Sequence, residues 1–107
     1  MHVNDLLKSA VEAGASELHI KVGSYPMMRL RGALVPVTEE KRLDHEDVVS
    51  MSAAVMSKIH ADKFKDANEV DLAYGVPGLG RFRVNVFQQR GTVGMVLRVI
   101  PTIIKTI

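Results

Sequence analysis

Three arginines in the last third of the chain have the spacing of side chains on one polar face of a β-sheet. Arg81 and Arg83 alternate with apolar residues in the run GRFRVNVF, and Arg98 lies in the next strand-like run. Residues 72–107 contain five lysines or arginines and no aspartate or glutamate. The planar guanidinium group suits phosphate and carboxylate oxygens, to which it donates parallel hydrogen bonds. The pattern therefore predicts a site for an anionic ligand.

Period-two assignment of the other strand-like runs adds further cations to the same face, with Asp71 as its lone acid. The added cations are His19, Lys21, Arg29 and Arg31. Taken singly, they are interpreted as solvated charges on the open side of a sheet. Arg90, beside Gly91 in a predicted hairpin, is either a turn cation or part of the same site. Arg29, Arg31 and Arg90 are kept as auxiliary candidates.

The N-terminal part of the chain predicts a helix and three strands. Residues 3–11 have helical spacing of apolar side chains, with Asn4 as the predicted N-cap and Gly14 as the left-handed stop. The strand-like runs that follow are SELHIKVG, MMRLRG and ALVPV. Met28 and Leu30 are expected on the helix-covered side of the second run, and Pro36 in the third suits the edge of a sheet.

The middle of the chain predicts two helices. The longer one begins at Asp44 and carries one apolar stripe. That stripe consists of Val48, Met51, Val55 and Ile59. The run HADKFKDAN predicts a short helix that is anchored by Phe64 and ends near Asn68. Three strand-like runs complete the chain: EVDLAYG, GRFRVNVF and TVGMVLRVIP.

This order of elements predicts an α+β fold, in which a six-stranded antiparallel or mixed sheet is covered by helices on one face. A chain of 107 residues with 47% apolar content is long enough for one domain and too short for a second core. The absence of cysteine excludes disulfides, thiolate metal ligands and a cysteine nucleophile. No apolar run approaches the ~20 residues of a spanning helix, so we expect a cytoplasmic chain without membrane insertion.

Other motifs that could carry chemistry are weaker. In GVPGLGRF, Arg81 and Phe82 stand where the phosphate-binding loop GxxxxGK[ST] has lysine and a hydroxyl, and a strand follows instead of a helix. The run is therefore interpreted as a glycine-rich hairpin. The four histidines lack metal-ligand spacing, so no metal site is expected. Glu69 and Asp71 share a strand face and could act as acid and base, but pairing with a neighbouring arginine is the preferred interpretation.

A basic sheet face is also used by proteins that bind single-stranded nucleic acid, which is an alternative from another class. Such surfaces need exposed aromatic side chains on which bases stack. Phe82 on the core face and Tyr25 in a turn do not supply them, so no nucleic-acid partner is expected. A PAS-type sensor with an internal ligand is a third alternative, but the many medium-sized aliphatic residues give no sign of a cavity.

Two blocks of the sequence cover nearly the whole chain and carry a family resemblance. They are VNDLLKSAVEAGASELHIKVGSYPMMRLRGALVPV and EVDLAYGVPGLGRFRVNVFQQRGTVGMVLRVIP. Together they resemble the N-terminal domain of the type IV pilus retraction ATPases, the PilT family of the secretion ATPase superfamily. Pilus-assembly and type II secretion ATPases share the last block and are the alternative. A start so close to the helix before GASELHI favours the retraction type, because assembly ATPases usually carry another domain upstream.

The resemblance implies a PAS-like domain at residues 1–101 and the start of a linker to a RecA-like ATPase domain at residues 102–107. It implies that the whole protein is a hexameric motor that hydrolyses ATP with Mg²⁺ and withdraws pilin subunits, which produces twitching motility. It also implies that Arg81, Arg83 and Arg98 approach the nucleotide phosphates at a domain or subunit interface.

The same resemblance limits what these 107 residues can do alone. The Walker A and Walker B motifs, the catalytic glutamate and the histidine box of the family belong to a domain that is absent here. We therefore expect no catalytic residue, no ATPase activity and no ATP or Mg²⁺ binding by this domain alone. The expected partners are the other subunits of a homo-hexamer and the platform proteins of the pilus machine, at the cytoplasmic face of the inner membrane.

Overall fold

The structure, a computed structural model, describes residues 2–101, and the predicted linker at residues 102–107 lies outside the described residues. Three helices and six strands form within the described part of the chain. In chain order they are α1 (Val3–Glu12), β1 (Glu17–Lys21), β2 (Met27–Leu30), β3 (Ala33–Pro36), α2 (His45–Val55), α3 (Lys58–Ala67), β4 (Glu69–Val76), β5 (Gly80–Gln89) and β6 (Thr92–Val99).

The six strands form one antiparallel sheet in the order β3-β2-β1-β6-β5-β4. Strands β1 and β6 pair in the centre, so residues from the two ends of the chain lie in register. Strand β3 is at one edge, as its Pro36 predicts, because proline cannot donate to a strand ladder. The predicted α+β sheet with helices packed on it is confirmed, and all its pairings among residues 2–101 are antiparallel.

Alternation along the strands directs apolar side chains toward the helices and builds the core. Phe82 is completely buried, and burial of a side chain of this size contributes about 1.5–3 kcal/mol. The buried strand residues are Leu18, Ile20, Val70, Leu72, Phe82, Val84, Val86, Val93, Met95 and Leu97. Met28 and Leu30 were expected on the same side but are only half-buried. The helices contact mainly β1, β4 and β6, which leaves β2 at the margin of the core.

The other side of the sheet is called the uncovered face below, because no described helix packs on it. Leu34 of β3 lies on this face opposite Arg29, and the side chains considered below come from the other five strands and are mostly polar. They are Glu17, His19, Lys21, Arg29, Glu69, Asp71, Arg81, Arg83, Asn85, Phe87, Val96 and Arg98. Since one face is buried and the other is charged, a slip of one residue in any strand would exchange the two sets.

The N-cap of the first helix lies two residues before the predicted one. His2, and not Asn4, is the N-cap: its Nδ1 accepts a hydrogen bond from the Asn4 backbone N–H at 3.0 Å. The prediction was wrong because the Asn4 side chain has a tertiary partner, accepting at its Oδ1 a hydrogen bond from the Tyr74 hydroxyl at 2.6 Å. This contact ties α1 to β4. The left-handed conformation of Gly14 is confirmed by its φ of 82°.

The second and third helices are separated by a break that lies earlier in the chain than the sequence pattern indicated. Asp44 is the N-cap of α2, as predicted, and forms a capping box with Asp47. Helix α2 ends at Val55, and Ser57 caps a new helix, so Ile59 lies on α3 instead of on the α2 stripe. Ile59 is 68% exposed, which corrects its prediction as a core residue. The end of α3 at a left-handed Asn68, with φ 59°, is confirmed.

Candidate functional site

Arg83 on β5 and Arg98 on β6 are direct partners in the antiparallel register. Both side chains are exposed on the uncovered face, because their neighbours Phe82 and Leu97 turn into the core. Directly opposed residues have Cβ atoms about 4.5–5.5 Å apart. Two permanent cations therefore stand side by side on adjacent strands.

The charges of these two arginines are compensated unequally within the chain. Arg83 forms no ion pair with any residue in the range 2–101. Arg98 pairs with Glu17 of β1, with its Nε 3.3 Å from Oε2, while its side chain remains 70% exposed. Like charges on neighbouring strands repel. An oxyanion at this place would relieve that repulsion and accept hydrogen bonds from both guanidinium groups.

Glu17 is the carboxylate on which the side chains of two arginines and one histidine converge. Its Oε1 lies 2.8 Å from Nε2 of His19 and accepts a hydrogen bond from Nε of Arg29 at 3.1 Å, and its Oε2 faces Arg98. Hydrogen bonds from His19 and then from Arg29 hold the pKa of the Glu17 carboxyl below its ordinary value. Glu17 therefore carries its negative charge at neutral pH.

The acids of the uncovered face differ from the prediction in number and in partners. Asp71 is not the lone acid, because Glu17 and Glu69 lie on the same face. Glu69 and Asp71 pair with no arginine among the described residues. Instead, Nδ2 of Asn85 donates to Glu69 Oε1 at 2.9 Å and to Asp71 Oδ1 at 3.0 Å. The reason is the register, which places Asn85 opposite Asp71 and Arg83 opposite an alanine.

A shallow depression of about 510 Å³ lies between the arginines and these acids. Its polar lining consists of Glu69, Asp71, Arg83, Asn85 and Arg98. The two arginines are at one end and the two carboxylates at the other, since they occupy successive cross-strand rows. A phosphate group is attracted to the arginine end and repelled from the carboxylate end. The depression therefore favours a ligand that presents its negative charge to Arg83 and Arg98.

Arg81 extends the basic surface along β5. It lies two residues before Arg83 on the same strand face, which corresponds to about 7 Å along the strand. It is exposed and forms no ion pair within residues 2–101. The glycine-rich run before it is the turn between Val76 and Gly80, and a strand follows. Its interpretation as a hairpin instead of a phosphate-binding loop is confirmed.

The three auxiliary arginines are not brought together with Arg83 and Arg98. Arg29 lies beyond Glu17 on β2, where it also donates from Nη1 to the Gly32 carbonyl at 3.0 Å. Arg31 is in the β2–β3 turn with φ 51°, so it does not occupy the strand face on which it was predicted. Arg90 is in the β5–β6 hairpin with φ 55°, seven residues along the chain from Arg83 and about 23 Å away if β5 is fully extended.

An aromatic side chain of the uncovered face was not assigned from the sequence. Phe87 is opposite Gly94, and its ring lies so close over that glycine that an added Cβ would be 2.8 Å from Cε2. Period-two counting from Arg81 through Arg83 would have placed Phe87 on this face. The ring is half-buried against β6. It does not project as an open stacking platform of the kind that nucleic-acid bases require.

Within residues 2–101, no three side chains of the types that commonly bind metals are grouped so that they could hold an ion together. No helix in that part of the chain has the length and apolar character needed to cross a membrane.

Known proteins with similar sequences were found among the type IV pilus ATPases, whereas no family model matches the chain. The chain is 39% identical over 107 residues to the type IV pilus ATPase PilU of Pseudomonas aeruginosa. It is 34% identical over 106 residues to the type IV pilus retraction ATPase PilT of the same organism. These alignments cover 100% and 99% of this chain but 28% and 30% of the relatives. The chain thus spans less than a third of the length of either relative.

A solved structure supports the same relationship. The crystal structure of the pilus retraction motor PilT with bound ADP superposes with a TM-score of 0.91 and is 38% identical in sequence. The match covers 98% of this chain and 31% of that one. Fold and sequence together define the N-terminal domain of a secretion ATPase. Within that class, the chain belongs to the PilT-like secretion ATPases, as an N-terminal domain.

Proposed function

We propose that the domain acts in a type IV pilus retraction ATPase, where Arg83 and Arg98 contact the phosphates of a nucleotide held by an ATPase domain. The observation that carries this proposal is the cross-strand pairing of the two arginines on the uncovered face, where Arg83 has no ion-pair partner in the described part of the chain. Arg81 is adjacent on the same strand and supplies a third cation toward the same ligand.

The arrangement suits phosphate because of its geometry and charge. Two guanidinium groups provide several N–H donors in fixed planes, and phosphate offers acceptor oxygens at matching separation. Burying both arginines against a neutral surface would cost free energy, since like charges are adjacent. Binding of a triphosphate removes that cost. The domain therefore prefers an interface at which a polyanion is present.

The proposed mechanism uses the loss of the γ-phosphate as a signal. An arginine that reaches the γ-phosphate from outside its cradle stabilises the charge of phosphoryl transfer, which is worth about 10³–10⁵ in rate where it has been isolated. The γ-phosphate is present before hydrolysis and absent afterwards. An arginine contact to the γ-phosphate therefore holds the domain more tightly before hydrolysis than after it. This difference in binding can drive rotation of the domain.

In the whole protein, this function requires ATP and Mg²⁺ bound by an ATPase domain, with none bound by the present domain alone. We place the protein in a homo-hexamer at the cytoplasmic side of the inner membrane, in contact with the platform proteins of the pilus machine. The support is the similarity to proteins named as type IV pilus ATPases and to a retraction motor with bound ADP. Twitching motility is the expected cellular result.

A pilus-assembly or type II secretion ATPase is the alternative within the superfamily. The pilus relatives reported above include one named for retraction, which favours the retraction motor. The nucleic-acid alternative is disfavoured, since Phe87 packs against Gly94 and offers bases no open aromatic face.

ATP turnover of the full-length protein tests the proposal. Arg83→Ala is expected to lower kcat by about 10³-fold, the low end of the effect of an isolated arginine finger. The melting temperature should fall by less than about 4 °C, since an exposed substitution changes stability by about 0.5 kcal/mol or less. Lys21→Ala removes an exposed cation from the same face and is the matched control. Wild-type turnover in both Arg83→Ala and Arg98→Ala would overturn the proposal.

A further inference from the structure

Four charged residues form one row across the uncovered face. The register pairs Arg29 with Glu17, Glu17 with Arg98, and Arg98 with Arg83, from β2 through β1 and β6 to β5. The carboxylate of Glu17 therefore lies between Arg29 and Arg98, and Arg83 lies on the far side of Arg98. Its side chain is 20% exposed, which is much less than the 70% of Arg98.

The contact between Glu17 and Arg98 uses only one part of the guanidinium group. Nε of Arg98 is the atom that faces Glu17, at 3.3 Å from Oε2. The contact is an ion pair, and no hydrogen bond from any guanidinium nitrogen of Arg98 is found within residues 2–101. A guanidinium has five N–H donors in one plane. The ion pair therefore draws the Nε side of Arg98 toward Glu17, while the two Nη atoms remain available to another acceptor.

Glu17 is itself held in place. Its Oε1 lies 2.8 Å from Nε2 of His19 on the same strand and accepts a hydrogen bond from Nε of Arg29 on β2 at 3.1 Å. A carboxylate with partners on both oxygens has little freedom to follow Arg98, so the arginine must adapt to the carboxylate. A long arginine side chain has many rotamers, and restricting them before a ligand arrives lowers the entropic cost of binding.

We propose that Glu17 is the positioning residue for Arg98: the ion pair holds the Nε side of the guanidinium group toward β1 and leaves the Nη atoms for the anion that Arg83 also faces. This inference rests on the proposed function and names a residue that acts only through Arg98. Glu17 does not touch the nucleotide. Its role is to keep an exposed arginine in the orientation that phosphoryl transfer requires, since misplacement by about 1 Å can cost up to about 10²-fold in rate.

The test uses the full-length ATPase with Glu17→Gln, Arg98→Ala and the double variant, with Glu39→Gln as the control. The amide keeps one oxygen acceptor but loses the charge, so a loss of about tenfold in kcat is expected, with KM for ATP changed by less than about threefold. In the Arg98→Ala background, Glu17→Gln should have no further effect. Glu39 is an exposed loop carboxylate, and its variant should retain wild-type kcat.

The outcomes separate this inference from the proposed function. If Arg98→Ala lowers kcat and Glu17→Gln does not, the positioning role is overturned and the proposed function remains. If Glu17→Gln lowers kcat equally with and without Arg98, Glu17 acts through another group and the inference is also overturned. If Arg83→Ala and Arg98→Ala both leave kcat unchanged, the proposed function fails, and the inference fails with it.

Discussion

Gly94→Ala is expected to destabilise the domain when Phe87 is present and to stabilise it when Phe87 is replaced by alanine. An added Cβ would lie 2.8 Å from Cε2 and 2.9 Å from Cζ of the Phe87 ring, and 3.4 Å from the Ile20 carbonyl oxygen. Contacts between carbon atoms are favourable at about 3.5–4.0 Å. The ring must therefore move by roughly 0.6–1.2 Å, the difference between those separations. Overpacking of this kind costs about 1–3 kcal/mol.

The magnitude follows from two opposing effects. Alanine is favoured over glycine inside a strand by about 0.5–1 kcal/mol, which offsets part of the overpacking cost. Gly94→Ala should therefore lower the free energy of unfolding by about 1 kcal/mol in the wild-type background. In the Phe87→Ala background the ring is absent, so Gly94→Ala should raise the free energy of unfolding by about 0.5–1 kcal/mol.

Urea denaturation of the 107-residue chain is the appropriate assay. With an m-value of about 1–3 kcal/mol/M, a change of 1 kcal/mol shifts the midpoint by about 0.3–1 M. The double-mutant cycle isolates the interaction between the two residues. A coupling energy near zero would refute the packing of Phe87 over β6. It would also reopen the question of whether this ring is free to stack on a base.

Three further predictions concern stability. Tyr74→Phe removes the hydroxyl that donates to Asn4, so the free energy of unfolding should fall by about 0.5–1.5 kcal/mol in urea denaturation, and an unchanged midpoint would contradict the α1–β4 contact. Asp44→Ala removes the cap of α2 and should cost about 0.5–2 kcal/mol, with most of the stability kept in Asp44→Asn, whereas equal losses would exclude capping as the cause. The pKa of Glu17 is lowered on folding, mainly by the hydrogen bond with His19, so its contribution is present above the unfolded pKa and is lost as pH falls through the folded pKa. The stability difference between wild type and Glu17→Gln should thus shrink on acidification, and a constant difference would contradict the ion-pair assignment.

Much of the fold could be predicted because its sequence signals are local. Alternation in β5 gave the buried Phe82 and the exposed Arg83 correctly, and the N-cap at Asp44 fixed the start of α2. The break between α2 and α3 was predicted too late, after Ile59, since Ile59 continues the helical spacing although Ser57 caps a new helix. Asn4 was assigned as a cap because its preference for a tertiary partner on β4 cannot be read from adjacent residues.

The candidate site could be predicted only in part, for a topological reason. The strand faces follow from period two, and they placed Arg83 and Arg98 on the same side of the sheet. The pairing of β1 with β6 depends on strand order, which no local pattern specifies. That pairing brings Glu17 beside Arg98, and the β4–β5 register brings Asn85 beside Asp71. The partners of the charged residues therefore required the structure.

The most direct measurement is a structure of the full-length protein with Mg²⁺ and a non-hydrolysable ATP analogue. We expect nitrogen atoms of Arg83 and Arg98 to lie about 2.7–2.9 Å from phosphate oxygens of the analogue, the usual distance for a charged hydrogen bond. The proposed phosphate contacts would be contradicted if every contact to the phosphates came from an ATPase domain while both guanidinium groups remained in solvent.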